Sequence, residues 1–449
     1  MLSVIEKTQQ IEVPEIERKT GIDIYATPAE GIGGQLRQLP EDFIVKEIAE
    51  DFKESKDGKY LILEMTKRNW ETHHLIRDIS RALGISNRRI GIGGTKDKQA
   101  VTTQRISIFN ISESEIENLH IKDVNFKILG RSNRDVGLGD LVGNEFNITI
   151  RNIDIERDEL ESRMKLTSNT ILEMEGVPNF YGIQRFGARR PITHLIGESI
   201  VRGNIEKAAI DYIAKAFPDE PEKTQLVRRM VEDTRNFAEG LYRYPLQLRY
   251  ERAMMHHLHV NPDDYVGAFE TLSLKMRKLF VHAYQSYLFN RMLCLRMKKG
   301  LELNRAYVGD IVCFKNQQGL PDTSKYEYVT ENNLAGMNRL LRHGRAFVTA
   351  SLPGYRSDFA FGIPGDVESS ILKEENVPLE GFKVPDMKKV GSTGQRREIL
   401  LKVKPEYTID DDELNPGKLK ANLRFSLPKG SYATVVLREY MKTDPIKMG

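Results

Sequence analysis

The rhythm of apolar and polar positions changes repeatedly along the first 180 residues. Residues 35–47 read as a turn at Pro40 followed by a strand, with Phe43 and Val45 at alternate positions. Residues 60–65 form a second short strand pattern. Residues 72–83 place Leu75, Ile76, Ile79, Ala82 and Leu83 at the spacing of an amphipathic helix, and Gly84 supplies a C-cap. Residues 89–92 predict a short strand running into a glycine-rich turn, and residues 104–109 and 146–150 predict further strands. A helix over 158–175 is closed by Gly176 and Pro178.

The texture then becomes helical. Residues 205–216, 223–237 and 272–299 carry helix patterns, the last long and amphipathic, and strand-like pieces follow at 311–314 and 346–350. Pro378, Gly381, Pro385, Gly391 and Gly394 crowd residues 376–395 and mark a boundary. Strand signals return at 398–403, 423–425 and 433–436. A chain of 449 residues is too long for one ordinary core. The simplest arrangement is an α/β (α+β) domain interrupted by a helix-rich insert.

Composition narrows the class. With 40% hydrophobic and 29% charged residues the chain reads as a soluble globular protein. Nothing approaches the 18 consecutive apolar residues of a membrane span, and residues 1–17 lack the apolar run of a signal peptide, so a cytoplasmic protein is expected. Two cysteines, Cys294 and Cys313, exclude a disulfide framework and have no metal-ligand spacing. His256, His257 and His259 lack the Cys or spaced acid that would complete a metal site. The net charge of +3 says little, but residues 67–105 hold nine Lys or Arg against Glu71, Asp78 and Asp97. Such an excess attracts phosphate, although a solvated basic face remains the plain alternative.

The most unusual segment is residues 91–104, GIGGTKDKQAVTTQ. Gly91, Gly93 and Gly94 permit close backbone approach or positive φ. They deliver a single acid, Asp97, between Lys96 and Lys98 on a loop between two strands, where neighbouring cations favour the ionised carboxylate a nucleophile needs. A phosphate-cradling P-loop fails on spacing, on the missing Ser/Thr, and on the strand that follows in place of a helix.

Residues 94–104 (GTKDKQAVTTQ) resemble the catalytic motif of the TruD family of pseudouridine synthases. Four further segments are similar to the same family, in family order: residues 40–45 (PEDFIV), 143–146 (GNEF), 176–187 (GVPNFYGIQRFG) and 427–434 (LPKGSYAT). The resemblance implies a pseudouridine-synthase catalytic domain with a mixed or antiparallel sheet, from residues 1–178 and 392–449. It also implies an inserted TRUD domain over 179–391 that walls a basic cleft. The implied activity is isomerisation of uridine to pseudouridine at position 13 of tRNA.

Position by position, the resemblance implies that Asp97 is the catalytic aspartate and Arg37 its basic partner. Phe43 and Asn144 match residues contacting the target nucleotide, and Phe146 an aromatic lining the same site. Tyr432 falls where relatives carry Phe. These residue types suit the chemistry. A guanidinium keeps the carboxylate charged, aromatic faces receive a base pulled from its stack, and an amide reads a polar edge. No redox change occurs and no group is imported, so no cofactor and no metal are expected. The implied partner is tRNA, with no membrane and no obligate protein partner. A non-catalytic RNA-binding protein on the same scaffold is the alternative, and intact Asp97 with Arg37 argues against it. Arg185, Arg189 and Arg190 stand between contacts to the tRNA backbone and plain structure.

Overall fold

The computed structural model of the chain describes residues 11–448 and separates into two compact units. A sheet unit comprises residues 29–177 and 401–443 with Met448; a helical unit comprises the segment ending at Pro28, Pro178–Leu400 and Asp444–Ile446.

In the sheet unit eight strands form one sheet: β1 (Phe43–Ala49), β2 (Tyr60–Arg68), β3 (Ile90–Ile92), β4 (Val101–Phe109), β5 (Val124–Ser132), β6 (Leu141–Ile153), β7 (Glu406–Asp411) and β8 (Leu419–Pro428). Their order is β7-β8-β6-β1-β4-β2-β5, with β3 beside the second half of β4. Only β1 and β4 pair in parallel. Side chains alternate between faces along a strand, so the register decides which residues meet. Val45 stands opposite Phe146 and Thr102, Phe146 opposite Phe425, Glu47 opposite Asn144, and Lys67 opposite Thr102. Phe43, Val45 and Glu47 therefore share one face with Asn144, Phe146, Phe425, Thr102, Gln104 and Lys67. This face carries the buried side chains.

Helix α1 (Thr72–Ala82) packs Leu75, Ile76 and Ile79 against Leu61, Leu63, Met65, Ile106 and Ile108. Its N-terminus is capped by the Glu71 carboxylate, which accepts from the main-chain N–H of His73 and His74 at 3.0 and 2.8 Å. Helices α2 (Arg157–Glu173) and α3 (Ala433–Met441) are joined by a buried Ser168–Tyr440 hydroxyl bond of 2.9 Å. The strand expected at 433–436 is thus the first turn of a helix. Val435 and Val436 suggest a strand in a four-residue window. Over nine residues, Ala433, Val436, Leu437, Tyr440 and Met441 are buried at helical spacing, and that period prevails.

The helical unit is built on the helix Leu274–Lys298, which is buried around most of its circumference and not amphipathic as its pattern suggested. A Cβ on Gly197, in the helix Thr193–Val201, would strike the Phe280 carbonyl, so glycine is what lets these two helices touch. A four-stranded antiparallel sheet runs in the order Gln395–Glu398, Ala346–Leu352, Ile311–Lys315, Pro321–Tyr328. The units depart from the expected division at 178/179 and 391/392 in two places. The chain up to Pro28 belongs with the helical unit, where Asn290 Nδ2 donates to the Thr20 carbonyl at 3.0 Å and Lys298 pairs with Asp23. Residues 395–398 stay with it because they form an edge strand on Ala346–Leu352. Both contacts join residues far apart in sequence.

One buried group makes the helical unit sensitive to acid. The His194 ring lies between Phe186 and Tyr287, at centroid distances of 5.1 and 5.3 Å, and burial pushes its pKa down to about 4. The folded state thus refuses a proton that the unfolded chain accepts from about pH 6.5. Stability from this group is complete above pH 6.5 and is lost as pH falls toward 4, by on the order of 3 kcal/mol. The melting temperature is expected to drop over that window, and His194→Phe to flatten the drop; equal slopes in both proteins would remove the assignment.

Candidate active site

Asp97 lies on the segment 93–100 between β3 and β4, and its side chain is 54% exposed. Its cation is not a sequence neighbour. Arg37 Nη2 stands 3.7 Å from Asp97 Oδ2, an ion pair without a direct hydrogen bond. Lys96 instead turns inward, where its Nζ donates to Glu47 Oε2 at 2.7 Å in a buried ion pair, and Lys98 is exposed. Arg37, the basic partner that the resemblance implies, thus stands beside Asp97, whereas the expectation that Lys96 and Lys98 act on the carboxylate is corrected: neither forms an ion pair with it among the described residues. Side chains of consecutive residues in an extended segment point opposite ways.

Arg37 is held from below and by its own backbone. Its φ of +59° is in the left-handed region, an energetically costly conformation for arginine that tertiary structure must over-determine. The guanidinium lies 4.0 Å over the Phe43 ring, Phe43 meets Phe146 edge-on at 6.3 Å, and Phe146 stacks on Phe425 at 5.5 Å. Burial pulls the Arg37 pKa down from its ordinary value, and the Asp97 charge opposes this; an arginine remains protonated. Phe43 and Phe146 are 2% and 7% exposed, so here they act as the platform under the cation and not as open faces.

The segment carrying Asp97 is tied at every step. Gln104 Nε2 donates to the Gly94 carbonyl at 3.1 Å. The Thr72 hydroxyl accepts from the Lys96 N–H at 3.1 Å and donates to the Lys96 carbonyl at 3.2 Å. Lys67 Nζ donates to the carbonyls of Asp97 and Trp70, each at 2.7 Å. Lys67 is fully buried; burial pushes its pKa down to about 8, against the pull of Asp97 and Glu71. Gly91, Gly93 and Gly94 are not among the positive-φ glycines. Gly91 is required by close approach, since a Cβ there would strike the Val136 carbonyl.

Asn144 sits on β6 between Glu47 of β1 and Leu427 of β8. Its Oδ1 is buried and finds no hydrogen-bond partner among the described residues. Tyr432 is half-buried at the N-cap of α3, after the turn that leaves β8 beside Gly143. All six expected site residues thus lie in the sheet unit, with Asp97, Arg37, Phe43 and Phe146 joined in one chain of contacts.

Glu47, Lys67, Thr72 and Gln104 were not singled out from the sequence. Their signal was present as polar residues continuing an inward-facing register, Lys67 after Leu61, Leu63 and Met65, and Glu47 after Phe43 and Val45. Part of the basic excess over 67–105 is used inside the fold, while Arg68, Arg77, Arg81, Arg88 and Lys98 stay exposed. Besides Lys67 and Lys96, Arg68 pairs with Glu41, Arg81 with Asp78, and Arg89 donates to the Phe109 carbonyl. Arg190 is likewise structural, buried between Glu220 and Glu251 and donating to the carbonyls of Asp211, Tyr212 and Lys215. His257 faces Asp264 at 2.7 Å.

Removing Glu47 would leave the Lys96 ammonium buried without its partner, which costs about 3–5 kcal/mol. Glu47→Ala is expected to lower the denaturant midpoint sharply, and Glu47→Gln, which keeps a hydrogen-bond acceptor, less. Equal midpoints for wild type and Glu47→Ala would show the pair to be unimportant.

Comparisons with known proteins place the chain in a family. The family model described as tRNA pseudouridine synthase D (TruD) matches residues 19–440. A "Probable tRNA pseudouridine synthase D" of Methanococcoides burtonii is 62% identical over 436 residues, covering 97% of this chain and 99% of the relative. One of the same name from Methanosarcina acetivorans is 57% identical over 440 residues, covering 98% and 100%. A crystal structure of the protein designated tRNA pseudouridine synthase D (TruD) from Methanosarcina mazei superposes with a TM-score of 0.91 at 57% identity, covering 97% of this chain and all of that one. With a family match across nearly its whole length, this chain belongs to the tRNA pseudouridine synthase D (TruD) family.

Proposed function

We propose that the protein isomerises uridine to pseudouridine at position 13 of tRNA, with Asp97 as nucleophile and Arg37 as its counter-ion. Family membership carries the isomerisation of uridine in tRNA. The observation that supports the residue assignment is a half-exposed carboxylate beside a buried guanidinium, on a segment pinned from three strands and a helix. The carboxylate forms a transient covalent bond with the nucleoside. The glycosidic C–N bond breaks, the base turns, C5 bonds to the ribose C1′, and the C5 proton and the carboxylate leave. Atoms and electrons balance within the substrate, so the reaction draws on no cofactor.

Arg37 holds the attacking oxygen ionised and supports it again as a leaving group. The Asn144 amide, with its Oδ1 unpartnered, suits the alternating donor and acceptor edge of uracil. The half-buried Tyr432 ring offers a surface for a base withdrawn from its stack. Phe43 and Phe146 serve the site by seating the guanidinium. A tRNA substrate and two buried free cysteines fit work in the cytoplasm. No helix among the described residues is long and apolar enough to cross a membrane.

Asp97→Asn keeps the shape and removes the nucleophile. Its tRNA dissociation constant is expected to stay within about threefold of wild type while pseudouridine formation falls more than about 1,000-fold. Carbodiimide-dependent primer-extension stops at position 13 read the product, and a full yield from this variant would defeat the assignment. Wild-type affinity is expected to fall steeply with salt, because phosphate contacts release counterions. A flat response would argue against backbone binding.

A further inference from the structure

We propose that Lys67, seconded by Thr72, is a positioning residue that fixes the main chain on both sides of Asp97 and so aims its carboxylate. The proposal rests on Asp97 being the nucleophile. Two peptide planes flank the Asp97 Cα. The plane on its N-terminal side contains the Lys96 carbonyl, which accepts from the Thr72 hydroxyl at 3.2 Å. The plane on its C-terminal side contains the Asp97 carbonyl, which accepts from Lys67 Nζ at 2.7 Å. Fixing both planes fixes φ and ψ of Asp97, and with them the direction of its Cα–Cβ bond. The side chain itself stays half-exposed, with only Arg37 in ion-pair reach among the described residues.

The placement of Lys67 is otherwise hard to account for. It is the only lysine among the described residues at 0% exposure. No carboxylate among the described residues lies within ion-pair distance of it, and its Nζ donates to two main-chain carbonyls. Burying an ammonium without a counter-ion costs several kcal/mol, and a methionine of similar length would fill the same inward position on β2 more cheaply. The cost is offset only if the donors are needed where they point. They point at Asp97 and at Trp70, just before α1, whose first residue is Thr72. Lys67 and Thr72 therefore couple the reactive segment to the sheet and to α1 together.

A misplacement of about 1 Å at a reacting group costs about 100-fold in rate. Lys67→Met is therefore expected to lower the single-turnover rate at saturating tRNA by about 100-fold. Its tRNA dissociation constant should stay within about threefold. Lys67→Arg, which retains donors, should recover part of that rate, and Thr72→Val should lose about tenfold. A wild-type rate in Lys67→Met overturns the role, as does a loss matched by weaker tRNA binding. Equal rates in Lys67→Met and Lys67→Arg overturn it too, since packing alone would then explain the loss. If Lys67→Met does not fold, as judged by circular dichroism, Thr72→Val decides: an unchanged rate overturns the clamp. Wild-type protein assayed alongside separates the two levels. No pseudouridine from wild type defeats the function itself, whereas product from wild type and Lys67→Met at one rate defeats only the positioning.

Discussion

A carboxylate that must bond to a substrate and then leave it has to be reachable and motionless at once. Asp97, the proposed nucleophile, meets both demands because its side chain and its backbone are handled by different groups. The side chain is left half-exposed beside Arg37, while Lys67, Thr72 and Gln104 hold the main chain of its segment and Glu47 anchors the neighbouring Lys96. Those anchors stand on β1, β2, β4 and α1, all on or against the covered face of one sheet. Rigidity in the reactive loop is therefore borrowed from the sheet. A loop of this length with two glycines, Gly93 and Gly94, would otherwise be free to wander.

The same face solves the problem of the counter-ion. Arg37 adopts a backbone conformation unfavourable for its residue type and is kept there by the aromatic series Phe43, Phe146 and Phe425. Farther along, Arg151 bonds Asp42, Asp412 and Glu413 at 2.7, 2.8 and 3.0 Å, tying the turn before β1 to the β7–β8 hairpin. The turn that leads from Arg37 into the sheet is thereby fixed at its other end. The helical unit uses the same device internally, with Arg228 and Arg190 set between Glu220 and Glu251, and Arg396 on Glu368. Several cations in this protein are structural, so a count of Lys and Arg along the chain includes some, such as Lys67 and Lys96, that do not face solvent.

Residue pattern alone was sufficient wherever local period and local burial agree. Alternation at Phe43 and Val45 and the i, i+3, i+4 spacing from Leu75 gave real elements, because each buries one face against a single neighbouring layer. The family motifs that carry Asp97, Arg37 and Asn144 fall in one unit. The pattern misled where a short window hid a longer period, as at Val435 and Val436. It misled again where a helix is enclosed on most sides, as over Leu274–Lys298.

Sequence by itself determined which acid is the candidate nucleophile and which strands and helices frame it, because those depend on residue type and near-neighbour spacing. Tertiary structure alone decided which cations are spent inside, and that the lysine next to Asp97 in sequence is not its ion-pair partner. Lys96 is adjacent in sequence yet faces Glu47, and Arg37 is distant in sequence yet faces Asp97. The reason is geometric: in extended chain, neighbours diverge, and strand register brings remote side chains onto one face.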